Sequence, residues 1–302
     1  MLNDELKEFL EKFFDSSQLN RLPKIYGGGK IFSAPLIGVA KGDDYIFSKF
    51  KEVVAEEHMT PLEFWLAEGL TEIEPSKLRI ISIVFPYVNK IRKESKNFEK
   101  VGRVLLPAEI YNVGRNYANE LKKETCRMII DFLEKKGYNA IAAMLSESFS
   151  IITKGRFYSN WSERHIAFAA GLGTFSLHEG LITELGCNIR LASVVTDAPF
   201  EITKRKTDDP YANCLYFAKG TCKKCIEQCP AGAITENGHD KNKCYIYGQK
   251  IMRKVVSKIG NILRPHWRRI NWKWEEQKPP VGCAFCQFNV PCMDKNPVIS
   301  NQ

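Results

Sequence analysis

Eight of the ten cysteines in this 302-residue chain lie at or beyond position 214: Cys214, Cys222, Cys225, Cys229, Cys244, Cys283, Cys286 and Cys292. Cys126 and Cys187 stand alone in everything before. A composition change that abrupt marks a second module and divides the chain into residues 1–205 and 206–302. What the thiols do depends on compartment, because reduced cysteines in clusters serve as metal ligands or catalytic groups more often than as disulfides. Asp4, Glu5, Glu8, Glu11 and Asp15 interrupt the place where the apolar stretch of an export signal would lie, so the expected location is cytoplasmic. No apolar run approaches the roughly 20 residues needed to span a bilayer, and no membrane partner is expected.

The spacing Cys222-x2-Cys225-x3-Cys229-Pro230 reproduces most of the bacterial ferredoxin run for [4Fe-4S] clusters. Two-residue gaps let one short loop aim several sulfurs at a cubane, and the x3 step turns the last sulfur toward a second one. Lys219 stands where that run has its first cysteine. Cys214 is the substitute, provided Leu215–Thr221 loops out. Cys283-x2-Cys286-x5-Cys292 forms the second set, and Cys244 lies between them. The expected ligand sets are Cys214, Cys222, Cys225 and Cys292 on one cluster, with Cys229, Cys244, Cys283 and Cys286 on the other. Zinc in a four-thiolate site is the competing reading, but it leaves half the cysteines unexplained. Cys126, within a predicted helix, and Cys187, in a predicted turn, are read as packing residues.

The formal charge of +9 suggests an anionic partner. Two oxidised clusters with their thiolates would lower it by about 4, to about +5, so basicity alone does not establish nucleic-acid binding. The stretch Arg264, His266, Trp267, Arg268, Arg269, Trp272 and Trp274 mixes cations with aromatics as nucleic-acid surfaces do, and equally suits a cover over the clusters.

Before position 205 the pattern alternates between helix and strand. Leu2, Leu6, Phe9, Leu10 and Phe13 predict an amphipathic helix over 1–17. Gly27-Gly28-Gly29 reads as a loop before a strand through Leu36–Val39. Thr60, Pro61 and Glu63 predict a helix start. Strands are expected at Ile80–Phe85, Ala140–Leu145 and Asn188–Thr196, with a long helix from about Ala108 to Lys136 that stops at Gly137. Asn160 and Glu163 have capping-box spacing, so a further helix should start near Trp161 and run to Gly171-Leu172-Gly173. The fold class is therefore α/β, of the α+β kind.

Ala169-Ala170-Gly171-Leu172-Gly173, then His178, Gly180, Leu181 and Ile182, then Ser193-Val194-Val195-Thr196-Asp197, resemble the core of epoxyqueuosine reductases and related reductive dehalogenases. The resemblance covers roughly residues 75 to 295. It implies a nitroreductase-like domain over 1–205 holding cobalamin, followed by a ferredoxin-like domain over 206–302 with two [4Fe-4S] clusters. Gly171, Gly173 and His178 are its implied cofactor contacts. Where epoxyqueuosine reductases carry an aspartate, this chain reads Arg156-Phe157-Tyr158-Ser159-Asn160. By analogy with the dehalogenases, Tyr158 is the implied proton donor. Glu163, Arg164 and His165 are expected to face the same cavity.

The expected function is a reductase that takes electrons from a ferredoxin- or flavodoxin-type donor, through two clusters, to cobalamin and a small-molecule or tRNA-borne substrate. The alternatives are an electron-transfer or activator protein with no substrate of its own, and an RNA-binding iron-sulfur protein.

Overall fold

The computed structural model describes residues 1–153, 155, 157–270 and 273–299. Arg156 and Trp272, singled out above, lie outside the described residues.

The first helix, α1 (Leu2–Ser16), buries Leu6, Leu10 and Phe14, which recur every four residues along one face. It lies against a four-stranded sheet of β1 (Leu36–Lys41), β2 (Arg79–Pro86), β3 (Ala140–Ile141) and β4 (Ile189–Thr196), in the order β1-β2-β4-β3. Every pairing is antiparallel. Strand β2 is buried from Ile80 to Pro86 because both faces of the sheet are covered, which accounts for its unbroken apolar run. Ile81, Ile83 and Phe85 face one core with α1 and the long helix α3 (Glu109–Glu134). Ile80 faces a second core with Phe64 and Trp65 of α2 (Pro61–Ala67) and Ile166 and Phe168 of α4 (Glu163–Ala169).

Most element ends follow local chemistry. The predicted capping box at Thr60 is complete: Glu63 N–H donates to Thr60 Oγ1 at 3.3 Å and Thr60 N–H to Glu63 Oε2 at 2.7 Å. After α3, Gly137 has φ +84°, a left-handed conformation that side chains resist.

Two expectations change. Only Ala140 and Ile141 of the predicted Ala140–Leu145 strand pair with β4, and Ala143–Leu145 then forms a 3-10 turn. The predicted Asn160–Glu163 capping box does not form. Asn160 is engaged elsewhere, accepting from Ser150 N–H at 2.8 Å and donating to Ser148 O at 2.7 Å, so Ser162 takes the cap position of α4.

Beyond position 205 the regular elements shorten to Leu215–Lys219, Lys224–Glu227, and the pair Ile234–Thr235 and Gly238–His239. Helix α5 (Lys241–Ile259) is the exception, capped by Asp240 accepting from Lys243 N–H at 2.9 Å. A hairpin follows, β5 (His266–Ile270) with β6 (Lys273–Gln277). The apolar core is continuous across position 205, because Ile251, Val255 and Ile259 of α5, with Phe285 and Phe288, join the same core as α3. Phe288 meets Tyr111 edge-on at 4.8 Å.

Candidate functional site

The eight C-terminal thiols fall into two neighbourhoods. The Cys222 thiol is pushed up by burial and then by the charges of Cys292 and Cys214. Cys225 is pushed up to about 12 by burial, then by Cys292, Cys214 and Cys222. These four cysteines line one small cavity together with Leu177, His178 and Val290. Cys283 is pushed up to about 12, chiefly by burial, and feels Cys244 and Cys229. Burial drives Cys286 well up, with Cys283, Cys244, Cys225 and Cys229 adding to it. The two groups adjoin where Cys225 and Cys286 sense one another. Thiols that raise each other's pKa stay protonated unless a metal centre supplies compensating positive charge.

Local chain geometry produces this arrangement. Cys214 caps the short helix Leu215–Lys219, which ends at Gly220 with φ +66°, and the reversed chain returns Cys222 toward Cys214. Cys229 Sγ accepts the Ala233 N–H at 3.3 Å. Cys244 stands in the first turn of α5. Ala284, at φ +55°, turns the chain between Cys283 and Cys286.

Cys187, expected as a packing residue, is buried but lies against another sulfur. Its Sγ donates to Cys292 Sγ at 3.8 Å, and His178 Nε2 lies 4.0 Å from the same atom. Ligand atoms of His178, Cys187 and Cys292 all fall within 4.8 Å of one another. The Cys292 thiol is pulled down to about 5, first by the Cys187 hydrogen bond and then by His178, against burial. His178 Nδ1 accepts the Gly180 N–H at 3.2 Å, which fixes the ring toward the cysteines. Gly171 and Gly173 lie elsewhere, lining a cavity of about 450 Å³ with Leu36, Thr203 and Lys204. A Cβ on Gly173 would come 2.4 Å from Ile182 O, so this glycine permits close backbone packing.

A cluster of polar side chains adjoins the second cysteine group between α3, α4 and β4. Arg115 and Lys122 come from α3, Glu163 and Arg164 from the start of α4, and Arg190 from β4. All five are half-buried. Lys122 is lowered to about 8, chiefly by burial, and donates to Leu191 O at 3.3 Å. Burial raises Glu163 to about 7, opposed by Ser193 and Lys122. Tyr111 Oη accepts from Arg190 at 2.5 Å and from Arg115 at 3.3 Å. Lys122 thus faces the Glu163 carboxyl while Arg115 and Arg190 are held on Tyr111, and Glu163 Oε2 is buried with no partner among the described residues. Asn112 Nδ2, beside Arg115 and Gly282, is likewise unpartnered. Arg164 links this cluster to the thiols: burial lowers its pKa while Glu179, Cys244 and Cys286 raise it, and it donates to Glu179 O at 2.7 Å.

The other expected residues sit outside this polar cluster. His165 turns into the second core, its Nδ1 2.8 Å from Ser162 Oγ and its ring 4.6 Å from Phe175. The Tyr158 hydroxyl donates to Glu57 Oε1 at 2.8 Å, on the short strand Tyr158–Ser159. In the basic-aromatic segment, Arg264 stacks on Tyr117, Arg268 donates to Phe149 O and Arg269 pairs with Glu147 at 3.3 Å. Trp267 and Trp274 remain exposed.

Arg115, Lys122 and Arg190 went unremarked in the sequence. A signal was present for two of them: Arg190 interrupts an apolar strand, and Lys122 sits directly after Leu121 in the buried part of a helix.

No family model matches the chain. Seven curated proteins do, each an epoxyqueuosine reductase. The protein from Bacillus subtilis is 25% identical over 251 residues, covering 81% of this chain and 52% of that protein. The protein from Aliivibrio fischeri is 26% identical over 219 residues, covering 65% of this chain and 52% of that protein. The chain is similar to the epoxyqueuosine reductases. This is the family expected from Ala169–Gly173 and Ser193–Asp197. The chain spans about half the length of these two relatives (52%). Among solved structures, epoxyqueuosine reductase from Streptococcus thermophilus matches with a TM-score of 0.52 at 15% identity, covering 97% of this chain and 67% of that one. The structure from Bacillus subtilis matches with a TM-score of 0.50 at 17% identity, covering 99% and 70%. At such identities the likeness is one of fold.

Proposed function

We propose that this chain is an iron-sulfur oxidoreductase with two [4Fe-4S] clusters, one held by Cys214, Cys222, Cys225 and Cys292 and the other by Cys229, Cys244, Cys283 and Cys286. The observation that carries this reading is the gathering of eight thiols into two adjoining groups of four. A single zinc site would need only one group. Residues 206–302 then form a ferredoxin-like module, and residues 1–205 a nitroreductase-like domain that binds cofactor and substrate.

The polar cluster beside the second group suits a corrinoid by its chemistry. The corrinoid's rim of amide side chains suits unpartnered buried groups such as Glu163 Oε2 and Asn112 Nδ2, and the flanking arginines supply further donors. When bound, the clusters relay single electrons and the corrinoid supplies the metal at which an organic substrate is reduced. The chain's own part is positioning and proton supply. Arg115, Lys122 and Arg190 hold a positive potential that favours electron arrival. Glu163, with a pKa near neutrality, holds a proton within the polar cluster. Tyr158 is a further proton donor if its contact with Glu57 opens, whereas Gly171, Gly173 and His178 support the fold around the cofactor. The electron donor is a small acidic redox protein of ferredoxin or flavodoxin type. The substrate is a small molecule or a base carried on tRNA, with exposed Trp267 and Trp274 as stacking surfaces for the latter.

A second reading is an activator that passes electrons to a partner's metal centre and has no substrate. It is favoured by the absence of any carboxylate from Arg156 to Asn160, where the resembling family carries aspartate. Anaerobic purification followed by iron, sulfide and corrinoid analysis tests both. About eight irons per chain with stoichiometric corrinoid is expected. Clusters without corrinoid would favour the activator, and zinc without iron would overturn both.

A further inference from the structure

We propose that Cys187 is a fixed hydrogen-bond donor to the Cys292 sulfur, and that it raises the reduction potential of the cluster Cys292 serves. This inference rests on the reading that Cys214, Cys222, Cys225 and Cys292 hold a cluster.

The donor is held in place by backbone. Cys187 N–H donates to Cys292 O at 2.8 Å, and Asn188 N–H to Met293 O at 3.2 Å. Gly186 has φ +82°, and a Cβ there would stand 2.3 Å from Met293 O, so this turn and the Cys292 segment approach as closely as backbones allow. Arg92 ties the two together, donating to Leu185 O at 3.0 Å while its guanidinium lies 3.6 Å from the Asp294 carboxylate. The Cys187 side chain is only 2% exposed, so water cannot replace it. It meets the sulfur at 3.8 Å. His178 approaches the same sulfur, and since its Nδ1 accepts from Gly180, its Nε2 carries the proton. A cluster gains negative charge on reduction and spreads part of it onto its cysteine sulfurs. Donors aimed at one of those sulfurs therefore stabilise the reduced state more than the oxidised state.

The test is an anaerobic redox titration of the full chain, following each cluster's paramagnetic signal, for the unmodified protein, Cys187→Ala and Cys187→Ser. Iron content is measured on each. Alanine should leave about eight irons and lower one midpoint only, with a roughly tenfold fall in the reduced-to-oxidised ratio at the original midpoint. That fall corresponds to about 59 mV for one electron. Serine retains a donor and should recover most of the shift. Full iron with both midpoints unchanged in Cys187→Ala overturns the inference and leaves the cluster reading standing. Loss of about four irons from that variant also overturns it, by making Cys187 a ligand. An unmodified protein that binds no iron overturns the cluster reading and this inference with it.

Discussion

Residues 1–205 and 206–302 hold together by different means. In the first region, strand β2 is buried on both faces, and two apolar cores sandwich the sheet. In the second, apart from α5 and the β5–β6 hairpin, helices run four or five residues, and eight cysteines lie buried or half-buried among them. The second region borrows its core from the first, through α5 and through Phe285 and Phe288. The difference teaches that apolar burial organises the sheet, whereas on the proposed reading sulfur-to-metal bonding would organise the loops between the cysteines, of which Cys214 and Cys225 are buried and the other six half-buried.

The largest expected effect breaks that symmetry directly. Cys225→Ser should lower iron from about eight to about four per chain or fewer, and amide exchange should quicken across 206–240 while β2 and β4 stay protected. Cys126→Ala, in the core of α3, should leave iron unchanged. Equal exchange in both regions would show that the division is illusory.

The next effect belongs to the sheet. A Cβ on Gly38 would stand 2.3 Å from Ala170 O, so Gly38→Ala should cost up to about 3 kcal/mol in chemical unfolding without altering iron per folded chain.

Glu163 gives a smaller, pH-dependent effect. Its folded pKa of about 7 lies above the ordinary 4.5, so its proton lends stability that is complete below the unfolded value and disappears as pH rises through about 7. Between pH 5 and pH 8 the unmodified protein should lose on the order of 2 kcal/mol that Glu163→Gln retains. Unfolding curves with the same pH slope for both proteins would remove Glu163 from the polar cluster's proton chemistry. Smallest is Thr60→Ala, which removes half of the capping box and should cost about 1 kcal/mol, confined to the first region.

Much of this was legible locally. The Thr60 cap, the turn at Gly137, the buried run of β2 and the amphipathic face of α1 all follow from neighbours within about four residues, the range over which caps and periodicity act. The strand predicted over Ala140–Leu145 ends at Ile141, since its apolar residues suit either a strand or a buried turn and only the register with β4 decides. Asn160 departs from its predicted cap for a similar reason: its side chain bonds Ser148 and Ser150, and the spacing to Glu163 carries no information about them.

The sequence by itself determined that eight cysteines crowd one end of the chain at cluster-forming intervals, because short gaps restrict where neighbouring sulfurs can point. Only the tertiary structure decided that Cys187 reaches Cys292 from another loop, and that Arg115, Lys122, Glu163 and Arg190 gather into one polar cluster. Those meetings join residues up to 105 positions apart. They depend on how the sheet is layered and covered, which no local pattern encodes.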